Sequence, residues 1–356
     1  LYFQTEIYDF SQPTSFSGKS WYNPYRNWDS ENLLKANFHA HAKAWGGVTN
    51  GGNTQKELEN FYRNLHYGVA ATSNYHSPQK PISKQLADFR VYEHGYNIFK
   101  SHKLALGVQK AIFLDFPFFQ NTSHKQLIIN KILNIGGLVA IAHPNFHDGH
   151  SKEDLKKLRG YQFIEIRSRY ANAVDYWDSA LQSGHAVWCL ANDDTHDLAK
   201  EKAGRFFNQL SLSSINDIRE TLKSGQFVSV VSEEGMSLPV LKKITVNENK
   251  LDYEFSELTD TLFLVENGER IILPEAKGSI LLKQTTNYIR FEAKNNDGIL
   301  YTNPIFRNAS ETKLPKVSLP TLNLFKTLLY KASIILISIA LLLLVLKLRR
   351  ISVLKK

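Results

Sequence analysis

The chain has 356 residues, of which 43% are hydrophobic and 22% charged; this balance excludes a disordered polymer and is long enough for two domains. The formal net charge of +9 favours anionic partners, but Lys347, Arg349, Arg350, Lys355 and Lys356 crowd the last ten positions. No compact Lys/Arg cluster interleaved with aromatics occurs elsewhere, which argues against nucleic acid. The single cysteine, Cys189, excludes an intrachain disulfide and a zinc finger, and within the apolar run Ala186–Leu190 it reads as a buried small hydrophobe.

Residues 1–31 form an N-terminal aromatic segment. Its opening Leu1-Tyr2-Phe3-Gln4 matches the end of a protease-cleavage tag as well as natural sequence and carries no fold signal. Trp21, Tyr22, Tyr25 and Trp28, around Pro24, predict packing on the exterior of the α/β region. From 32 to 230, apolar runs (Ala36–Phe38, Val69–Thr72, Leu104–Val108, Leu138–Ala142, Phe163–Ile166, Ala186–Ala191) alternate with helical stretches (Thr54–Leu65, Lys125–Ile135, Lys152–Leu158, Ala173–Ser183, Ser214–Lys223). Strand then helix, repeated, predicts a parallel α/β architecture, barrel or doubly wound. Residues 231–307 break into short strand-like runs separated by turn signals such as Asn267-Gly268 and Asp297-Gly298, the pattern of a small β-sandwich.

Residues 308–327 are rich in Ser, Thr, Lys and Pro and read as a linker. Residues 328–348 continue as an apolar helix with no charge, Gly or Pro between Lys331 and Lys347. With both lysines snorkelling, the span approaches the roughly 20 residues that cross a bilayer. Ser333 and Ser338 do not make the polar face that a soluble helix would show. The basic tail 349–356 predicts a cytoplasmic C-terminus, and so a single-pass membrane protein whose main domains are extracytoplasmic, in a bacterium periplasmic.

The chemistry lies at the ends of the predicted strands. In His39-Ala40-His41, residues two apart on an extended segment point to one side, so both imidazoles can reach one cation. His76 follows Val69–Thr72, His143 follows Leu138–Ala142, Glu165 sits on Phe163–Ile166, and Asp194 and His196 follow Ala186–Ala191. In a parallel α/β barrel these ends share one rim. Imidazole and carboxylate ligands suit zinc, manganese or iron. His147 and His150 read as loop residues near His143. His66, His94, His102, His124 and His185 read as structural or solvated. Asp193 beside Asp194 is a candidate for supporting a ligand from behind. Glycines Gly46, Gly47, Gly51 and Gly52 flank a loop beside His41 that is a candidate lid, and no phosphate-cradling glycine motif is present.

Taken in order, Asn37-Phe38-His39-Ala40-His41, Tyr75-His76, Leu106-Gly107-Val108-Gln109, Ile141-Ala142-His143-Pro144 and Asn192-Asp193-Asp194-Thr195-His196 resemble the polymerase and histidinol phosphatase (PHP) family. The β-rich end of the chain resembles the C-terminal sandwich of a metal-dependent phosphoesterase branch. The likeness runs from about Leu33 to Arg307. It implies a distorted seven-stranded PHP-type barrel over 32–230, a β-sandwich over 231–307, and a cluster of up to three cations. His39, His41 and Asp194 would hold the first, His143 the second, and His76 and His196 the third.

The sequence departs from the family in three places. Gly46-Gly47 stands where an acidic residue is common, Tyr75 where an Asp precedes the next His, and Gln109 where a bridging Glu follows Gly-Val. Missing carboxylates imply fewer divalent metals, weaker ones, or none. Two functions fit. One is a membrane-anchored metal-dependent hydrolase, acting on a phosphorylated substrate whose charge Lys43, Lys110, Arg167 or Arg169 would balance. The other is a catalytically inactive domain serving as a binding or scaffold subunit of a membrane protein complex.

Overall fold

A computed structural model of the protein describes residues 1–212, 217–232 and 237–354. Strands β1 (Leu33–Asn37) and β2 (Tyr67–Ala70) run parallel, joined through α1 (Gln55–Asn64). A reciprocal cap between Thr54 and Glu57 starts this helix by satisfying its first amides. Strands β3 (Val91–His94), β4 (Lys103–Leu106), β5 (Leu138–Ile141), β6 (Phe163–Arg167) and β7 (Trp188–Ala191) form one sheet in chain order. Helices α2 (Thr122–Asn134), α3 (Lys152–Lys157) and α4 (Val174–Gln182) link the later strands. Every residue of β3, β4, β5 and β7 is buried, as expected of strands covered on both faces.

The expected all-parallel order fails at β4, which is antiparallel to both β3 and β5. Only residues 95–102 separate β3 from β4, and a parallel return needs a crossover of about a dozen residues or more. β4 therefore begins at the end of the sheet where β3, β5, β6 and β7 finish. Two isolated parallel bridges, Tyr75 to Glu93 and Ala40 to Thr195, connect the segments after β2 and β1 to the two edges of this sheet.

A second, larger sheet carries β1 and β2 together with β8 (Phe206–Ser211) and β9 (Phe227–Ser232), both antiparallel to their predecessors in it. Between these two, α5 (Ile218–Ser224) ends at Gly225, whose φ is left-handed at +75° and where a Cβ would come within 2.8 Å of the Trp188 ring, so a side chain is excluded. Residues 214–216 of the expected helix lie outside the described residues. Beyond β9 come β10 (Leu241–Asn247), β11 (Lys250–Phe255), β12 (Thr261–Glu266), β13 (Glu269–Leu273), β14 (Lys277–Leu281), β15 (Tyr288–Lys294), β16 (Gly298–Thr302) and β17 (Ile305–Asn308). β9 pairs with β16, so the larger sheet runs on past residue 230 into β15, β12 and β13. β10, β11 and β14 form a three-stranded sheet, and Tyr253 and Phe255 pack on Phe291 of β15 at 5.3 and 5.5 Å between rings.

Buried Arg290 on β15 bridges Asp178 on α4 (2.7 Å) and Glu292 (2.6 Å), fastening the two regions together. The N-terminal aromatics lie at the same joint. Ser20–Tyr22 pairs with β17, the Tyr25 hydroxyl donates to the Phe227 carbonyl, and the Trp28 indole donates to the Leu241 carbonyl.

The final element is α6 (Leu324–Leu354), which begins four residues before the predicted span. Its root is fastened to the body. Thr321–Leu322 pairs with Tyr8–Asp9, Asn323 and Lys326 reach Asp9, and the Thr327 hydroxyl accepts from the Ile7 amide. Among the described residues, Leu324–Arg350 is the one stretch long and apolar enough to cross a membrane, and its most apolar part is not buried against the body. Lys355 and Lys356 of the basic tail lie outside the described residues.

Candidate metal centre

The strand order places two chain segments side by side. The His41 amide donates to the Thr195 carbonyl and the Asp194 amide to the His39 carbonyl, so the stretches after β1 and β7 run in register. His39 and His41 thus meet Asp194: His39 Nε2 is 3.1 Å and His41 Nε2 3.4 Å from Asp194 Oδ1. His143, after β5, is 3.8 Å from Asp194 Oδ2. His196 stacks on His41 at 4.4 Å. His143 and Asp194 both have left-handed φ, +26° and +49°.

The centre of the cluster is Glu93. Its Oε2 lies 3.1 Å from His41 Nε2 and 3.5 Å from His39 Nε2, and its Oε1 lies 3.1 Å from His143 Nε2 and 2.6 Å from His102 Nδ1. Each carboxylate therefore turns one oxygen toward His39 and His41 and the other toward His143. All six residues are buried. Two donor sets, His39 with Glu93 and His143, and His39 with His41 and Asp194, have ligand atoms within 4.8 Å of one another. His39 Nε2, His41 Nε2, Glu93 Oε2 and His102 Nδ1 are buried without a well-directed hydrogen bond. Buried polar atoms are normally satisfied, so unsatisfied nitrogens and oxygens converging on one space fit a divalent cation.

Electrostatics agree. Burial opposes charge on His39, but Asp194, Glu165 and Glu93 outweigh it and hold its pKa well above the ordinary value. Burial is likewise overcome at His41 by Asp194 and Glu93, and at His143 chiefly by Glu93, so both are raised. Glu93 and Asp194 are held well below the usual carboxylate range despite burial, by His102 and His39 for the first and His39 and His41 for the second. Protons on the imidazoles thus supply the positive charge that a cation would replace. His196 behaves differently: burial and the neighbouring His41 push it down to about 4.

Around this centre is a cleft of about 340 Å³ lined by Tyr75, Lys100, His102, His143, Phe146, Tyr170, Asp194 and His196. Lys100 is close enough to add, after burial, to the lowering of the His102 pKa.

No family model and no curated protein matches the chain. Among solved structures it is similar to a two-domain protein of Bacteroides vulgatus ATCC 8482 described as containing a predicted PHP-like metal-dependent phosphoesterase. The two share 14% identity at a TM-score of 0.42, over 83% of this chain and 100% of that one. The buried His, Glu and Asp groups of this chain could hold a metal ion.

Other predicted residues stand elsewhere. Glu165 lies behind the cluster, accepting from His39 Nδ1 and Asn192 (3.0 Å each) and from the His143 amide (3.1 Å). Asp193 faces away, accepting from the Tyr62 hydroxyl and the Gly204, Arg205 and Phe206 amides, and so shapes the turn into β8. His76 is in neither donor set and packs on His94: its Nδ1 bonds the Ile112 carbonyl and its Nε2 accepts from the Gly95 amide, leaving no ring nitrogen for a cation. Gln109 is exposed, at the far end of antiparallel β4. Lys110 shares that place. Arg167 reaches the Tyr301 hydroxyl (3.0 Å) instead of the cleft. Lys43 is exposed on the hairpin after His41, outside the cleft lining. Arg169 is half-exposed beside Tyr170 and Glu201 near the mouth. His150 is buried against Ser101.

Proposed function

We propose that the chain is a metal-dependent phosphoesterase, anchored by α6 across a bilayer with its body on the extracytoplasmic side. The bridges after β1 and β2 support reading β1 to β7 as a distorted seven-stranded barrel over 32–230, and the packing of β11 on β15 supports a β-sandwich over 231–307. The observation that carries the function is the sharing of Glu93 and Asp194 between His39 with His41 on one side and His143 with His102 on the other. His39, His41 and Asp194, together with Glu93 and His143, would hold the metal, with His102 beside Glu93. A divalent cation there supplies Lewis-acid polarisation of a phosphoryl oxygen and a lowered pKa for water.

The chain's own groups do the rest. Glu165 holds His39 through Nδ1, leaving Nε2 as its free donor. Lys100 sets a positive charge on the cleft wall for the phosphate. Tyr75, Phe146 and Tyr170 narrow the mouth and limit water.

The test is elemental analysis of the full chain purified without chelators, with hydrolysis of p-nitrophenyl phosphate measured in parallel. Zinc, manganese or iron should be present, and both metal and activity should vanish in His39→Ala, His41→Ala. No metal even after reloading would overturn the hydrolase and favour the scaffold reading.

A further inference from the structure

One group of exposed apolar side chains lies in the two segments 98–99 and 113–119, next to the root of α6. Ile98, Phe99, Phe113, Phe118 and Phe119 are each between 47% and 69% exposed. Hydrogen bonds bring the two segments together: the Ile98 amide donates to the Pro117 carbonyl, and the Tyr96 hydroxyl to the Phe113 carbonyl (3.0 Å each). At one edge the Phe119 ring is 5.6 Å from His124, whose ring is 6.0 Å from Tyr330 on α6. At the other edge Phe99 precedes Lys100, which lines the cleft. Singly exposed apolar residues are ordinary, but a contiguous aromatic patch marks a contact surface.

We propose that this face lies in the headgroup region of the bilayer that α6 enters, seating the mouth of the cleft at the membrane surface. The occupant is lipid because the patch continues directly into the root of the helix. It meets α6 at Tyr330 beside Lys331, the residue types that mark the edge of the hydrocarbon layer. The fastened root fixes the body there: a flexible tether would let the face turn away, whereas Asp9, held by Asn323 and Lys326, keeps it at the level where the helix submerges. The phosphoester that reaches the cleft is then one carried at the headgroup level of a membrane lipid. This rests on α6 crossing the bilayer.

The experiment places an environment-sensitive nitrobenzoxadiazole fluorophore on single introduced cysteines in the full chain, reconstituted in phosphatidylcholine–phosphatidylglycerol vesicles. Native Cys189 is buried and does not compete for label. The sites are Phe118→Cys on the face, Leu342→Cys in the helix and Lys277→Cys on β14. The Phe118 site should be quenched by lipids spin-labelled at the headgroup and shielded from aqueous iodide. The Leu342 site should respond to mid-chain labels, and the Lys277 site to iodide alone. A quenched helix with an iodide-accessible Phe118 site would overturn the docked face while leaving the anchor standing. A Phe118 site shielded from iodide and from lipid labels alike would point to a protein partner and also overturn it. A Leu342 site untouched by lipid labels would sink the anchor, and the docked face with it.

Discussion

Glu93→Gln removes one negative charge while keeping shape and hydrogen-bonding capacity. The oxygens of Glu93 lie 2.6 to 3.5 Å from His102, His41, His143 and His39, and all five residues are buried. An interaction with a charged partner in a buried site is worth about 1.5–3 kcal/mol. At about 1.4 kcal/mol per factor of ten, losing it is roughly a ten- to hundred-fold loss in cation affinity. The assay is chelator competition on the full chain, with elemental analysis before and after dialysis and circular dichroism to verify folding. Gln109→Ala is the paired control, because Gln109 is exposed at the opposite end of β4. A Glu93→Gln protein that folds and holds metal as tightly as the parent would refute Glu93 as the shared carboxylate. Metal loss in Gln109→Ala would refute the antiparallel course of β4.

His102→Ala should lower metal content and His76→Ala should not, because the His76 ring nitrogens are committed to Ile112 and Gly95; equal losses by elemental analysis would contradict this. Burial pushes the His185 pKa down from 6.5 to about 3, so below pH 6.5 the unfolded chain binds the proton that the folded one refuses. Its contribution to stability is intact above about pH 6.5 and lost as pH falls toward about 3, at up to about 1.4 kcal/mol per unit. His185→Gln should therefore flatten the fall in melting temperature between neutral and acid pH, and an unchanged slope would count against it. Asp178→Ala strips buried Arg290 of its partner on α4 but leaves it Glu292, so the lost charged hydrogen bonds should cost about 1.5–3 kcal/mol and lower the melting midpoint by roughly 5 °C. A shift within error in scanning calorimetry would show that the joint between α4 and β15 is held by packing alone.

The parts of the site legible in the sequence are those at the ends of apolar runs. The stretches before His39, His143 and Asp194 are apolar, and the switch to histidine or aspartate announces a strand end. Glu93 and His102 give no such signal. The strand Val91-Tyr92-Glu93-His94 is half polar, yet it is buried throughout because its partners come from other strands. No local pattern can anticipate that pairing. The direction of β4 was hidden for a related reason: with β3 unread, residues 95–102 could not be seen as too short for a crossover. The resemblance sets Gln109 where a bridging Glu is common, whereas the antiparallel course of β4 leaves Gln109 exposed at the opposite end of the strand. The α6 root was masked differently, since the pairing of Thr321–Leu322 with Tyr8–Asp9 joins segments more than 300 residues apart.

Charge decides how many cations the cluster can hold. Glu93 and Asp194 contribute two negative charges in direct reach of the imidazoles, while Glu165 acts from behind through His39. Two divalent cations would leave a net of two positive charges, which a phosphate monoester dianion offsets. A third would need donors where the chain has Tyr75 and a His76 whose ring nitrogens are committed to Ile112 and Gly95. Burying an unbalanced charge is costly in a site this enclosed. A stoichiometry near two, and not three, is thus what the charges of these residues support, with the lysine at position 100 aiding the phosphate and not a third ion.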